Sequence, residues 1–179
     1  RIEHAGISGL RTVRRQERAL VEQTVTGRHV ERVRRLGKYL LIDLTAAGTL
    51  VIHLRMSGQL LWVPSQDGDR VVPRHRHATL DLDDGSALWF VDPRTFGEWW
   101  VTSSDVPELS HLGPDALDAL PDPEWLMSSL TGRRVALKTR MLDPPFLAGI
   151  GNIYGDEVLH LARLQPDRPA GGVPNVDSS

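Results

Sequence analysis

The chain contains no cysteine among its 179 residues, and it has only three methionines and three phenylalanines. The lack of cysteine excludes disulfides and any zinc site with cysteine ligands. No apolar run approaches the roughly 20 residues that a membrane-spanning helix needs, and no signal peptide opens the sequence. We therefore expect a cytoplasmic protein without membrane association. Its 40% hydrophobic and 25% charged residues are typical of one globular domain or two small ones.

Charge is distributed unevenly along the chain, although the net charge is only −2. Residues 1–40 carry a net charge of +6, whereas residues 81–124 carry −10, with Arg94 as their one basic residue. A basic segment of this kind suits a partner that bears phosphates. An unevenly charged, fully solvated surface without a partner is the alternative.

Short apolar segments separated by turn residues begin at Tyr39. Asp83-Asp84-Gly85, which lies between two of them, is the strongest hairpin signal in the chain. The regular spacing predicts an antiparallel sandwich or barrel. The predicted strands are 39–44, 49–54, 59–63, 77–82, 86–91 and 97–101. The arginine-rich residues 1–35 are predicted to be irregular or weakly helical.

The composition changes after Pro107, where prolines become frequent. Helices are predicted at 124–130 and 152–163, with a short apolar and basic segment at 135–141 between them. We therefore place a β domain at residues 1–112 and a helical domain at residues 113–168. Residues 169–179 have nothing to bury and are predicted to form a flexible tail.

A glycine turn, Gly149-Ile150-Gly151, precedes the second helix and places Asn152 at the expected N-cap. The unpaired N–H groups of a helix N-terminus suit a phosphate. A tight loop packed between two helices is the alternative interpretation.

Five short motifs follow one another along the chain. They are Arg34-Arg35-Leu36-Gly37-Lys38-Tyr39-Leu40, His53-Leu54-Arg55-Met56-Ser57-Gly58, Asp92-Pro93-Arg94-Thr95-Phe96-Gly97, Leu112-Gly113-Pro114 and Gly149-Ile150-Gly151-Asn152-Ile153-Tyr154. In this order and spacing the chain resembles the formamidopyrimidine-DNA glycosylases, which excise oxidised purines. The endonuclease VIII branch fits less well, because the Met-Ser-Gly and Asp-Pro-Arg-x-Phe-Gly stretches belong to the purine-repair branch.

The resemblance implies an α+β fold, in which an N-terminal antiparallel β-sandwich is followed by a small, shortened helix–two-turn–helix domain. It also implies that double-stranded DNA with an oxidised purine or an abasic site binds in the cleft between the two. A cytoplasmic, nucleoid-associated location follows from that partner.

Phosphate contacts are implied by the resemblance for Lys38, Lys138, Asn152, His53 and His77. Lys38 and Lys138 are the only lysines among 21 basic residues, and both fall within or beside the motifs. His75 and His77 have the spacing of metal ligands, but no third ligand is near in sequence. We therefore expect no metal and no other cofactor.

Met56, Arg94 and Phe96 match the residues that the family inserts into a base stack from which a nucleotide has been extruded. A thioether and an aromatic ring suit the wedge, and a guanidinium suits the orphaned base. Ordinary core packing is the alternative for Met56 and Phe96. The chain departs from the family at Thr95, where an arginine is usual, and at Arg55, where glycine is usual.

The N-terminal proline that the family uses as a nucleophile is missing, since residue 1 is Arg and the first proline is Pro64. We also expect the first strand and helix of the family and its four-cysteine zinc finger to be absent. A lysine amine can form a Schiff base with an abasic sugar, and Lys38 is the candidate.

Three functions remain open at this stage. The first is binding of damaged or abasic DNA with little or no base excision. The second is an active glycosylase and abasic lyase for oxidised purines, whose N-terminus lies outside this sequence. The third is a protein-interaction module on a relict glycosylase fold.

Overall fold

The computed structural model describes residues 1–65 and 71–173. The chain divides into two compact units, Arg1–Pro107 and Glu108–Ser179. Each unit has its own hydrophobic core.

In residues 1–65 and 71–107, the first unit has eight strands, a short α-helix and a 3₁₀ turn at Leu10–Val13. The helix is α1 (Arg18–Val25), and the strands are β1 (Ile2–Ile7), β2 (Val30–Leu36), β3 (Tyr39–Leu44), β4 (Gly48–His53), β5 (Gln59–Val63), β6 (Arg76–Leu82), β7 (Ala87–Val91) and β8 (Glu98–Thr102). One antiparallel sheet has the order β1-β6-β7-β5 and the other β2-β3-β4-β8. The α+β class and the antiparallel sandwich are therefore confirmed.

The core of this unit is formed by residues from both sheets, which is what makes the unit a sandwich. Phe90 on β7 and Trp99 on β8 are almost completely buried, and their ring centroids lie 5.6 Å apart. Val21 and Val25, four residues apart on α1, bury their side chains in the same cluster.

The prediction for residues 1–35 is right about helix, which α1 forms, but wrong in missing the strands β1 and β2. A bulge between Ile2 and His4 shifts the register of β1 against β6, which breaks the alternation by which a strand is recognised. β2 is an edge strand with an exposed arginine-rich surface, and it is held by its pairing with β3. The first strand and helix that we expected to be absent have counterparts here.

The second unit contains α2 (Pro123–Leu130), α3 (Leu137–Met141) and α4 (Asn152–Leu161). Asp122 caps α2, since its carboxylate accepts the N–H of Trp125 at 2.7 Å. Leu137, Phe146 and Leu159 are buried in the core. An open apolar groove of about 450 Å³ runs beside them, between α2 and α4.

The prediction of a loose tail is wrong for residues 169–173. Ala170 lies in a 3₁₀ turn, is fully buried and belongs to the core of the second unit. Its N–H donates to the Val135 carbonyl at 2.9 Å, and Gly171 N–H donates to the Arg133 carbonyl at 2.9 Å. Ala170, although it lies among prolines and glycines, therefore anchors this segment by burying its side chain in the core of the second unit. Residues 174–179 of the predicted tail lie outside the described residues.

Candidate nucleic-acid interface

Lys38 lies in the two-residue turn that joins β2 to β3, where Leu36 pairs with Tyr39. Gly37 adopts a left-handed φ of 57°, which glycine reaches without steric cost and which makes the turn tight. The Lys38 side chain is exposed, and we find no hydrogen-bond or ion-pair partner for its amine within residues 1–65 and 71–173. Partial burial of the amine nonetheless lowers the pKa of Lys38.

Met56, Arg94 and Phe96 project from two turns of the first unit. Met56 is 75% exposed and lies in the turn of residues 54–58 (the Met56 turn). Phe96 is 37% exposed and lies in the loop of residues 92–97 (the Phe96 loop), together with Arg94. The guanidinium carbon of Arg94 lies 4.9 Å from the centroid of the Phe96 ring. Two apolar groups and one cation are thus presented together, and the core interpretation of Met56 does not hold.

A buried carboxylate, Asp92, joins the two turns. It accepts Ser57 Oγ at 2.5 Å from the Met56 turn, and the N–H groups of Gly97 at 2.7 Å and Arg94 at 3.3 Å from the Phe96 loop. Burial by itself would raise the pKa of Asp92, but these hydrogen bonds outweigh it and lower the pKa. The carboxylate is therefore ionised at neutral pH and organises both turns.

The glycines of these two motifs are required by close approach. A Cβ on Gly58 would lie 2.4 Å from the Leu54 carbonyl oxygen, and one on Gly97 would lie 2.3 Å from the Phe90 ring. Both turns are thus packed against their surroundings at distances that only glycine permits.

Strained backbone occurs beside these turns, and also at Ala46, Val106 and Arg163 elsewhere in the described residues. Of the non-glycine residues with left-handed φ in the described parts of the chain, Arg55 (56°), Thr95 (56°) and His75 (67°) lie beside or within these turns. The His75 carbonyl accepts the Asp92 N–H at 3.0 Å. Such conformations cost about 1–3 kcal/mol each and are found mostly at functional sites. The strain at Arg55, Thr95 and His75 is consistent with a functional role for the two turns.

A cluster of three arginines around Glu98 was not predicted from the sequence. Glu98 is buried at the start of β8, and its carboxylate accepts the Nε of Arg15 at 2.7 Å and a guanidinium N–H of Arg55. Arg14 lies 3.8 Å from the same carboxylate and donates to the Phe96 carbonyl at 2.5 Å. Burial favours a higher pKa for Glu98, yet the arginines prevail and lower its pKa to about 2. The one sign of this cluster in the sequence is Glu98 itself, an acid at the first position of the largely apolar strand β8.

The histidines occupy more internal positions than the sequence suggested. His53 is 9% exposed, and burial, followed by the charge of Arg55, lowers its pKa to about 4. Its Nδ1 accepts the Arg55 N–H at 3.0 Å, so Nε2 carries the proton of a neutral ring. The geometry therefore gives His53 a structural role. For a phosphate, the ring offers only its neutral Nε2–H group as a donor.

His77 donates from Nε2 to the Asp92 carbonyl at 3.0 Å, and so it supports the Phe96 loop. The rings of His75 and His77 lie 6.4 Å apart. Residues 1–65 and 71–173 contain no group of three or more histidine and carboxylate side chains arranged to hold a metal. Within the same ranges no helix is long and apolar enough to cross a membrane.

In the second unit, Lys138 and Asn152 lie on neighbouring helices. Asn152 is the first residue of α4 and Gly151 is the N-cap, one position earlier than the predicted cap. The Lys138 amine contacts the carboxylate of Asp156 at 2.7 Å. Because Asn152 and Asp156 are four residues apart on α4, they share a helix face, and the Lys138 amine lies on that face. The structure therefore brings Lys138 and Asn152 together, but with the lysine already paired.

Comparison with known proteins agrees with both units. The formamidopyrimidine-DNA glycosylase N-terminal domain matches residues 1–99, and the H2TH domain of the same family matches residues 112–177. The formamidopyrimidine-DNA glycosylase of Pelotomaculum thermopropionicum is 38% identical over 164 residues, which are 89% of this chain and 58% of that protein. The one from Xanthomonas campestris pv. campestris is 42% identical over 157 residues, 87% of this chain and 57% of that protein.

Solved structures give the same result. Lactococcus lactis Fpg in complex with DNA containing FAPY-dG has a TM-score of 0.87 and 27% identity, covering 98% of this chain and 66% of that chain. The complex of Lactococcus lactis Fpg with DNA containing an abasic site has a TM-score of 0.85 and 28% identity, covering 97% of this chain and 64% of that chain.

The sandwich unit with its two clamped turns and the H2TH unit that follows it define a protein of the helix–two-turn–helix DNA glycosylase class. Within that class, the chain belongs to the formamidopyrimidine-DNA glycosylase family. It spans 57–58% of the length of the Pelotomaculum thermopropionicum and Xanthomonas campestris proteins.

Proposed function

We propose that this chain binds double-stranded DNA containing an oxidised purine or an abasic site, as part of DNA repair. The observation that carries the proposal is the joint presentation of Met56, Arg94 and Phe96 on two turns clamped by Asp92. An enzyme or binder that extrudes a nucleotide must fill the gap left in the stack. Exposed apolar wedges with an adjacent donor have the chemistry for that task.

Each unit, taken by itself, offers contacts for the backbone of the DNA. The exposed amine of Lys38, which has no partner among residues 1–65 and 71–173, offers a cation from a tight turn. In the second unit, Asn152 offers a side-chain amide beside the unpaired N–H groups of the first turn of α4. Lys138 adds a cation on the same helix face once Asp156 is displaced. The complexes of Lactococcus lactis Fpg with lesion-containing and abasic DNA support this partner.

Binding is tested by titrating the protein against matched duplexes, one with an abasic analogue opposite cytosine and one undamaged. We expect salt-sensitive binding with a preference for the abasic duplex. Replacing Met56 and Phe96 together by alanine should reduce that preference about tenfold while undamaged DNA still binds, because phosphate contacts are retained. No salt-sensitive binding at micromolar protein concentration would contradict the proposal.

The finer proposal is that the residues of this chain grip and distort DNA with little or no base excision of their own. The side chains of Met56 and Phe96, the guanidinium of Arg94 and the amide of Asn152 are not nucleophiles that could attack the sugar. Among the predicted contacts, only a lysine amine can attack C1′ of an abasic aldehyde, lose water and form an imine.

Lys38 is the candidate for this imine formation, the first step of an abasic lyase reaction. Its lowered pKa increases the fraction of free amine. Borohydride reduction on an abasic duplex tests it. A covalent adduct in the wild type that is lost in Lys38→Arg would assign an abasic lyase activity to Lys38. An adduct formed on a duplex with an intact oxidised purine would show base excision and contradict the finer proposal.

A further inference from the structure

Arg55 occupies a backbone conformation that is poorly suited to it. Its φ of 56° lies in the left-handed region, which glycine adopts freely and an arginine does not. Its N–H is held by His53 Nδ1 at 3.0 Å. A strained residue persists only where surrounding contacts fix it, and the Arg55 side chain supplies one of those contacts.

That contact is an ion pair with Glu98. The carboxylate is almost completely buried, whereas the Arg55 side chain is 43% exposed, so the guanidinium covers the acid from the solvent side. Charge-assisted hydrogen bonds of this kind are stronger and more directional than neutral ones. The pair therefore ties the backbone of the Met56 turn to β8, one residue away from Met56 itself.

The same carboxylate also reaches the Phe96 loop. Arg14 lies beside Glu98 and donates to the carbonyl oxygens of Phe96 at 2.5 Å and Gly97 at 3.2 Å. One buried acid thus connects both turns through two arginines, at a point separate from Asp92. These contacts join residues that lie 43 and more positions apart in the sequence.

We propose that Arg55 is a positioning residue that, with Glu98 and Arg14, fixes the Met56 turn and the Phe96 loop in one relative geometry and thereby sets the preference for DNA with a gap in its base stack. The inference rests on the proposed DNA binding. The Met56 and Phe96 side chains lose less conformational freedom on insertion when they are held in place before binding. Binding to an abasic duplex, whose base stack has room for them, is therefore favoured. An arginine that merely contacted a phosphate would strengthen binding to every duplex equally.

The test compares four variants of the full chain. Arg55→Gly removes the guanidinium and relieves the backbone strain, so it is expected to fold. Arg55→Lys keeps the positive charge but lacks the planar set of guanidinium N–H donors. Glu98→Gln keeps the shape of the side chain but removes its negative charge. Arg11→Gln removes a charge from an exposed arginine of the same unit and serves as the matched control.

Hydrogen exchange without DNA gives the first measurement. We expect exchange in residues 54–58 to become about tenfold faster in Arg55→Gly, while residues 92–97 change little. In Glu98→Gln both segments should exchange faster. Unchanged exchange at 54–58 in Arg55→Gly would overturn the inference.

The second measurement is the ratio of the Kd values for undamaged and abasic duplexes. We expect Arg55→Gly and Glu98→Gln to lower this ratio about fivefold, Arg55→Lys to lower it less, and Arg11→Gln to leave it unchanged. An equal loss of affinity for both duplexes in Arg55→Gly would identify a phosphate contact and overturn the positioning role. So would a ratio that stays the same.

If the wild type binds neither duplex, the proposed function fails, and the effect on DNA preference fails with it. The exchange data would still decide whether Arg55 holds the Met56 turn.

Discussion

At the scale of single residues, the two lysines differ in a way that their sequence context did not predict. The Lys38 amine has no partner within residues 1–65 and 71–173, whereas the Lys138 amine contacts both carboxylate oxygens of Asp156, at 2.7 and 2.9 Å. A phosphate that approaches Lys138 must first compete with that carboxylate. The two lysines should therefore contribute unequally to the salt dependence of DNA binding.

Lys38→Ala is expected to lower DNA affinity and to reduce the slope of log K against log salt by about 1, since one unpaired cation is lost. Lys138→Ala should change the slope less. Asp156→Asn should raise affinity about twofold to threefold, because it releases Lys138 and removes a negative charge. Titrations at several salt concentrations measure all three, and equal slopes for both lysine variants would contradict the difference.

His53 gives the stability of the first unit a defined pH dependence. Its pKa is about 4 in the folded protein and about 6.5 when unfolded, so the unfolded chain binds more protons between these values. Stability should therefore fall as the pH drops from 6.5 to 4, by up to about 3 kcal/mol from this residue. Urea unfolding at several pH values should show this loss in the wild type and a shallower one in His53→Gln. Identical slopes in the two proteins would contradict the assignment.

At the scale of elements, the sequence predicted the strands from Tyr39 onward because each alternates or is continuously apolar and is bounded by turn residues. β3 and β5 have the predicted bounds. β1 and β2 were missed because the signals that define them are not local. β1 contains a bulge, and β2 is an arginine-rich edge strand that depends on its neighbour.

The candidate site follows the same division. The motifs predicted which side chains would be presented, and Met56, Arg94 and Phe96 do project from adjoining turns. The Glu98 cluster was not predicted, because Arg14, Arg15 and Arg55 meet it only after the two sheets have formed. Contacts between residues so distant in sequence leave no periodicity to detect.

Asp92 should be the most sensitive position of the two turns. Asp92→Asn replaces an ionised acceptor by a neutral amide in a fully buried position, leaving its N–H donors poorly matched. We expect a loss of about 2–4 kcal/mol in the free energy of unfolding. Ser57→Ala, which removes one neutral donor, should cost about 1 kcal/mol. Denaturant unfolding measures both, and a smaller loss for Asp92→Asn than for Ser57→Ala would contradict the central role of the carboxylate.

At the scale of the whole molecule, net charge is a poor guide to the expected partner. The chain has a net charge of −2 and a pI near 6.4, yet residues 1–40 carry +6. The exposed arginines of β2 and the turn residue Lys38 belong to that segment. A polyanion responds to local potential rather than to the total charge.

We therefore expect the protein to be retained on heparin at pH 7.5, above its pI, and to elute with moderate salt. Replacing Arg32 and Lys38 by glutamine should lower the eluting salt concentration because both lie in the basic segment. Replacing Arg163 and Arg168 in the second unit is the charge-matched control. Elution of the wild type in the unbound fraction would contradict a functional basic surface.

The left-handed residues Arg55, His75 and Thr95 also have a consequence for mutational tolerance. In a saturation library selected for folded protein, most helix and strand positions reject glycine because it increases the entropy of the unfolded chain. At His75 and Thr95 the order should invert, with glycine and asparagine enriched and valine and isoleucine depleted. At position 55, glycine should be enriched when the library is selected for folded protein. It should be depleted when the library is selected for preferential binding to an abasic duplex. The same inversion is expected at Ala46, Val106 and Arg163, which are also left-handed, so only a position that accepts glycine for folding but loses lesion preference would mark a turn that contacts DNA.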